Sequence, residues 1–432
     1  MAEESRARPL GPLSLLALGI NGIVGVGIFF APAQVAAELP GVAGVWVYFA
    51  TAAAMLPIAC GFAALGGRFD VDGGPYVWAR SAFGGRFAFF VGWITYVSSL
   101  LSVAAVVSGL AHHAAPLFGI DGDLGIRAFA GTCTLLLAAV AATGLRLSSY
   151  VWMGVTVLKL VPLAGLVAFG LLGFSHVPAV AVKPHAVTAH AVERAVLVVV
   201  FASQGFEVVP LLAGSVRRSE VAVPVATVAS LSFATLLYAA LHVLAARAVP
   251  DLGSSHMPLA DAARVYGGVP AFALVAAGAN VSALGIAFGM LNTTPRYLSA
   301  LAEPRALGPW IGVADDRFVP QRALWITTLV VVVLVSFLGR LTELFVLSSL
   351  AVLAQYAVTM ASLAVLSVRQ QHGLRRIHLW PVPLSLVGIL LAAQGAEAVE
   401  LLAAALVVLA GEGLRRYANR PSSVSPEGGL NG

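Results

Sequence analysis

Lys159 is the one basic residue among 25 that falls in the middle of an apolar stretch. Glu207 closes a second such stretch, Phe201-Ala202-Ser203-Gln204-Gly205-Phe206-Glu207, where a hydroxyl, an amide, a glycine and a carboxyl crowd together. A third is interrupted by Gly19, Gly22, Gly25 and Gly27, with Asn21 and Pro32 beside them. These residue types do not pair a nucleophile with a base. Their chemistry is that of freed backbone. A helix stopped inside an apolar stretch leaves N–H groups at the start of one half, which attract an anion, and carbonyls at the end of the other, which attract a cation. A zwitterionic α-amino acid carries both groups. Such interruptions at mid-bilayer depth are costly unless they meet a ligand, an ion or a water-filled cavity.

The elements that must hold these residues follow from composition. The chain has 432 residues, 59% hydrophobic and 10% charged, with a mean hydropathy of +0.92. A soluble globular protein is excluded, and no sizeable water-soluble domain fits. Helices that cross a bilayer need roughly 20 apolar residues. Such stretches fall at 12–38, 43–66, 84–111, 127–145, 147–173, 190–215, 221–247, 268–295, 322–339, 343–367, 378–395 and 397–414, predicting an all-α integral membrane protein of about twelve spans. The first stretch, behind Arg6 and Arg8, is taken as a membrane helix and not a removed signal peptide. The Pro-, Ser- and Gly-rich tail 421–432 is predicted to be disordered, leaving 1–420 as one transmembrane domain.

Basic residues set the expected orientation. With both termini cytoplasmic, Arg127, Lys183, Arg194, Arg247, Arg264 and Arg340 fall outside, and the others apart from Lys159 fall inside. That bias predicts a cytoplasmic (inner) membrane protein with an even number of spans. The breaks in spans 1 and 6, roughly 180 residues apart, each open a five-helix set, as in inverted-repeat transporters. The sets are 12–173 and 190–367, with extra helices at 378–414.

At these residues the chain resembles the amino acid–polyamine–organocation permeases. Gly25-Val26-Gly27-Ile28-Phe29 is similar to that family's first-helix signature, and Phe201 followed by Gly205-Phe206-Glu207 to its sixth-helix signature. Gly73-Gly74-Pro75-Tyr76 resembles the motif after helix 2, and Lys159-Leu160 with Pro162 the fifth-helix lysine of several proton-linked members. Arg296, Pro320 and Leu324 match more loosely. Ala64, Asp70 and Arg218-Ser219 depart from the family pattern on the cytoplasmic side.

The resemblance implies a leucine-transporter-like 5+5 fold with broken helices 1 and 6. It implies that backbone groups of Ile23, Val24, Gly25, Val26 and Gly27 receive a substrate carboxylate. Carbonyls of Phe201, Ala202 and Ser203, beside Gln204 and Gly205, receive its ammonium, with Phe201 as an aromatic gate. It further implies that Lys159 replaces the cation of sodium-coupled relatives, between helix 1 and polar groups of helix 8 near Asn280 or Ser282. Glu207, past the break, is assigned to an inner gate. Each position also has a plain reading: helix packing for the glycines, core or lipid contact for Phe201, helix-to-helix hydrogen bonds for Ser203 and Gln204, and snorkelling for Lys159.

The remaining residues point to no other chemistry. The His residues and Cys60 and Cys133 lack metal-ligand spacing, and His112 and His113 are expected at an external helix end. His242 is expected to bond between helices, and Trp46, Tyr48, Trp310 and Trp380 to anchor at the interface. No cofactor, metal or nucleic acid is expected; the partners are an amino acid, protons and the lipid bilayer. The function expected is secondary transport of a neutral small or aliphatic amino acid, proton-coupled or by exchange, because Glu207 is the only acidic residue in the central segments. The alternatives are a cationic amino-acid or polyamine carrier, a nutrient sensor on a transporter fold, and an integral-membrane enzyme.

Overall fold

The computed structural model describes residues 11–69, 74–144, 149–174, 176–177, 180, 187–211, 216, 218–301, 310–316, 319–338 and 341–418. Gly73, Asp70, Lys183, Arg340 and the tail from Pro421 lie outside them. The first span is two helices, α1 (Pro12–Ile23) and α2 (Gly27–Glu38), bent by 45° across Val24–Val26. There follow α3 (Val45–Gly66), α4 (Gly74–Phe83), α5 (Gly85–Ala114), α6 (Asp123–Ala142) and α7 (Ser149–Gly173). The sixth span is broken into α8 (Ala189–Ser203) and a four-residue turn of helix, α9 (Val208–Leu211). Then come α10 (Ser219–Ala248), α11 (Pro258–Ala300), α12 (Gln321–Phe337), α13 (Leu341–Val368), α14 (Pro381–Ala393) and α15 (Ala398–Ala418).

Among the described residues, eight helices are long and apolar enough to cross a membrane, and α1 with α2 makes a ninth span. The protein is therefore a multi-pass membrane protein. The expected count of twelve also includes the broken α8–α9, the 17-residue α12 and the charge-bearing α15. The span expected from residue 268 starts at a real break: Gly268 has φ +72°, separating a short first part of α11, which buries Leu259, Ala260, Ala262 and Ala263, from its long transmembrane part. One helix was not expected. The connection after α3 folds into α4, which buries Pro75, Trp78 and Ala82 against α5 and α13.

Packing partners exchange between the two five-helix sets. α2 packs on α8, α3 on α10, α5 on α11 and α6 on α12, so equivalent helices of the sets meet each other. α7 against α11 is matched by α13 against α5, and α1 against α10 by α3 against α8. Two sets related by a two-fold axis in the membrane plane require this pattern. α14 lies against α3 and α13, while α15 runs along α5, where the Trp93 indole donates to the Val407 carbonyl at 2.8 Å.

Two expectations are corrected by burial. Tyr48 is not an interface anchor: it is buried, with its ring beside His242 (centroids 5.3 Å). His113 is not a surface histidine, being buried edge-on to Phe30. Both sit where a helix end carries further structure over it, which position in the chain does not disclose. Trp46, Trp310 and Trp380 are exposed, as interface anchors require.

Candidate functional site

The two breaks face each other. Gly205 has φ +112°, a conformation that L side chains rarely adopt, and Gln204 before it is extended. A methyl on Gly205 would overlap the Gly22 carbonyl, and one on Gly22 would lie 2.7 Å from the Gly205 oxygen. Gly27 meets α8 just as closely, 2.8 Å from the Ala202 Cα for an added methyl. These glycines let backbone touch backbone, which explains why both spans are interrupted by residues without a Cβ.

A cavity of about 410 Å³ opens along this junction. Ile23, Gly25, Val26 and Gly27 line it from one break, and Phe201, Ala202, Gln204, Gly205 and Glu207 from the other. Val24 and Ser203 are buried and do not line it. The cavity extends toward the α4 end, where Pro75 and Tyr76 contribute, and it reaches the surface beside the exposed Thr293 and Ala300. On the opposite side Phe201 lies flat on Phe345, with ring centroids 4.1 Å apart and planes at 14°. Among the described residues the lining includes one carboxylate, Glu207, and no lysine or arginine.

The polar groups of the wall are tied to neighbouring helices. Ser102 on α5 and Ser348 on α13 are 2.7 Å apart, and both approach the Gln204 Oε1, at 3.3 and 3.5 Å. Glu207 Oε2 accepts the Gly205 N–H (2.8 Å) and the Tyr356 hydroxyl (3.1 Å), so the carboxylate caps its own break.

The carbonyls freed in α1 and α8 are also held. Lys159, buried on α7, donates to the Asn21 carbonyl at 2.8 Å. Among the described residues no carboxylate pairs with it. Asn280 and Ser282 are not hydrogen-bonded to Lys159: the Asn280 amide donates to the Ala276 carbonyl within α11, and the buried Ser282 hydroxyl has no partner among the described residues. Sequence reasoning missed Tyr238 on α10, whose hydroxyl lies 2.8 Å from the Ile23 carbonyl and 3.2 Å from that of Ala202. The available signal was a tyrosine in the middle of an apolar span, because a buried phenol needs a partner. Phe201 O, finally, accepts the Gln204 N–H at 3.3 Å.

Two helices broken against each other inside a multi-pass bundle, beside a cavity that reaches one face, define a membrane carrier. Residues 10–407 match the model of the amino acid permease family. The chain belongs to that family. An uncharacterised transporter of Mycobacterium tuberculosis is 27% identical over 99% of this chain and 95% of its own length. The methylthioribose transporter of Bacillus subtilis is 24% identical over 85% of this chain and 83% of its own length. The serine/threonine exchanger of the same organism is 26% identical over 69% of each.

Proposed function

We propose that this chain carries neutral, small or aliphatic L-amino acids across the cytoplasmic membrane by alternating access, coupled to protons or by exchange. Residues 12–173 and 190–367 form its two repeats within a single domain, and both termini are cytoplasmic. The observation that carries the reading is the junction of the two breaks: one cavity is lined by Ile23, Gly25, Val26 and Gly27 on one side and by Phe201, Ala202, Gln204 and Gly205 on the other. The substrate carboxylate meets N–H groups at the start of α2, and its ammonium meets carbonyls at the end of α8. With the α4 end cytoplasmic, the cavity opens inward and the Phe201–Phe345 stack closes its outer side, which supports reading this conformation as inward-facing.

Neutral cargo fits a lining whose one charged group among the described residues, Glu207, already accepts two hydrogen bonds. The relative named as a serine/threonine exchanger supports this substrate class and supports exchange. Glu207 also supports a second reading, a cationic amino acid or polyamine, since it lines the cavity and would pair with a side-chain ammonium. Flux of radiolabelled alanine, serine, leucine, arginine and putrescine into proteoliposomes separates the two. Arginine or putrescine outcompeting the neutral amino acids would replace the first reading by the second. No flux across a broad amino-acid panel would sink both.

A further inference from the structure

The α4 end of the bundle holds a second group of polar side chains, away from the cavity. Arg68, just past α3, is half-buried and fixed by three acceptors: the carbonyls of Ala64 (3.2 Å) and Gly373 (3.3 Å) and the Nε2 of His378 (2.9 Å). The other ring nitrogen, Nδ1, lies 2.9 Å from the Arg375 nitrogen and 3.0 Å from the Arg375 carbonyl, so His378 ties Arg68 to the turn that carries Arg375. An imidazole is neutral or cationic, so it brings no counter-charge. Arg375, a second cation and exposed, stands on the same turn, between the two partners Gly373 and His378 that Arg68 binds. Among the described residues no carboxylate pairs with either arginine. Two like charges, one locked in place and the other exposed on the turn it binds, repel each other. An anion between them reverses the sign of the interaction.

What lies beside them identifies the anion's carrier. Ile377 and Trp380, on the turn between α13 and α14, are 75% and 54% exposed. Leu384, Val387 and Leu391 continue this exposed apolar strip along one face of α14. Cations next to an exposed tryptophan at the end of a lipid-facing helix meet a headgroup phosphate and an acyl chain together.

We propose that Arg68 and Arg375 bind the phosphate of an anionic phospholipid, whose acyl chain lies along the exposed face of α14. Arg68 already ties the end of α3 to the connection between α13 and α14. The phosphate removes the repulsion that works against that tie.

The test uses the full chain purified in detergent. Native mass spectrometry compares phosphatidylglycerol with phosphatidylcholine of identical acyl chains, and thermal unfolding is followed with each lipid and with inorganic phosphate. The wild type should retain phosphatidylglycerol preferentially and melt higher with it. Arg375→Gln removes an exposed charge without touching the carbonyl contacts of Arg68. It should lower the preference about fivefold, the effect of one cation at a membrane surface. Arg322→Gln, also exposed at the α4 end, should leave the preference unchanged. Equal retention of the two lipids by the wild type, or an undiminished preference in Arg375→Gln, would overturn the proposal. So would inorganic phosphate reproducing the stabilisation without lipid.

Discussion

Replacing Gly205 by alanine tests whether the two breaks must touch. At φ +112° an alanine is strained whatever the space around it, which costs about 1–3 kcal/mol. Its methyl would also overlap the Gly22 carbonyl and stand 2.8 Å from the Ile23 nitrogen. Those are backbone atoms and cannot rotate away, so overfilling adds about 1–3 kcal/mol. Either the protein absorbs about 2–6 kcal/mol, or α1 and α8 separate and the cavity wall comes apart; transport fails in both cases. Gly25→Ala is the counter-test. A methyl there meets the flexible end of Ile286 at 3.1 Å and the Ile23 oxygen at 3.7 Å, so it disturbs packing little. Unfolding of the purified variants in detergent and flux in proteoliposomes give the two readouts. Gly205→Ala should lower both stability and flux. Gly25→Ala should melt close to wild type yet transport poorly, because its methyl stands where a ligand approaches the freed N–H groups. Wild-type flux in Gly205→Ala would refute the contact, and wild-type flux in Gly25→Ala would remove Gly25 from the substrate's path.

Three further outcomes follow from the hydrogen bonds. Tyr238→Phe removes one donor from the Ile23 and Ala202 carbonyls; it should destabilise by about 1–3 kcal/mol and reduce flux with every substrate alike, and unchanged kinetics would show the contact to be incidental. Lys159→Ala leaves the Asn21 carbonyl without its donor; transport should lose its dependence on a pH gradient and the wild type should need no sodium, whereas pH-dependent flux surviving in the mutant would take Lys159 out of the coupling. Arg194 and Glu400, 2.7 Å apart with side chains only 13% and 11% exposed, join α8 to α15; Arg194→Ala should cost about 3 kcal/mol by stranding the carboxylate, and melting of the double variant Arg194→Ala/Glu400→Leu should show part of that loss recovered.

The architecture was readable because a bilayer punishes exceptions. Glycines in the first span, Ser203-Gln204-Gly205 in the sixth and a lysine in the fifth all stand out against an apolar background, and each has a structural counterpart: two breaks, and a bond from Lys159 to the carbonyl of Asn21. What stayed hidden was anything decided by partners distant in sequence. The ten residues of α4 are too few to register as a span. Tyr238 differs from a lipid-facing tyrosine only by the carbonyls above it, which belong to α1 and α8. Gln204 was legible as a polar residue at the break, but its orientation comes from Ser102 and Ser348, 102 and 144 residues away.

The freed backbone is not equally available on its two sides. A continuous helix would bond the Gly27 N–H to the Ile23 carbonyl, but that oxygen is 2.8 Å from the Tyr238 hydroxyl instead. On the carbonyl side, Asn21, Ile23, Phe201 and Ala202 all have donors from the protein: Lys159, Tyr238, the Gln204 N–H and Tyr238 again. A carbonyl has two lone pairs, so an ammonium could share these oxygens, whereas a hydroxyl has one hydrogen to give. Tyr238 therefore satisfies Ile23 or Ala202 fully, but not both. The shorter distance favours Ile23, which leaves the Ala202 carbonyl, on a residue that lines the cavity, as the acceptor that gains most from an incoming ammonium. On the function proposed above, a substrate ammonium that took Ala202 would commit Tyr238 to Ile23 and so draw α10 onto α1, while the carboxylate would hold the start of α2. One small zwitterion would thereby fix the relation of the broken helices to the helix behind them, the differential contact that the proposed alternating access requires of its cargo.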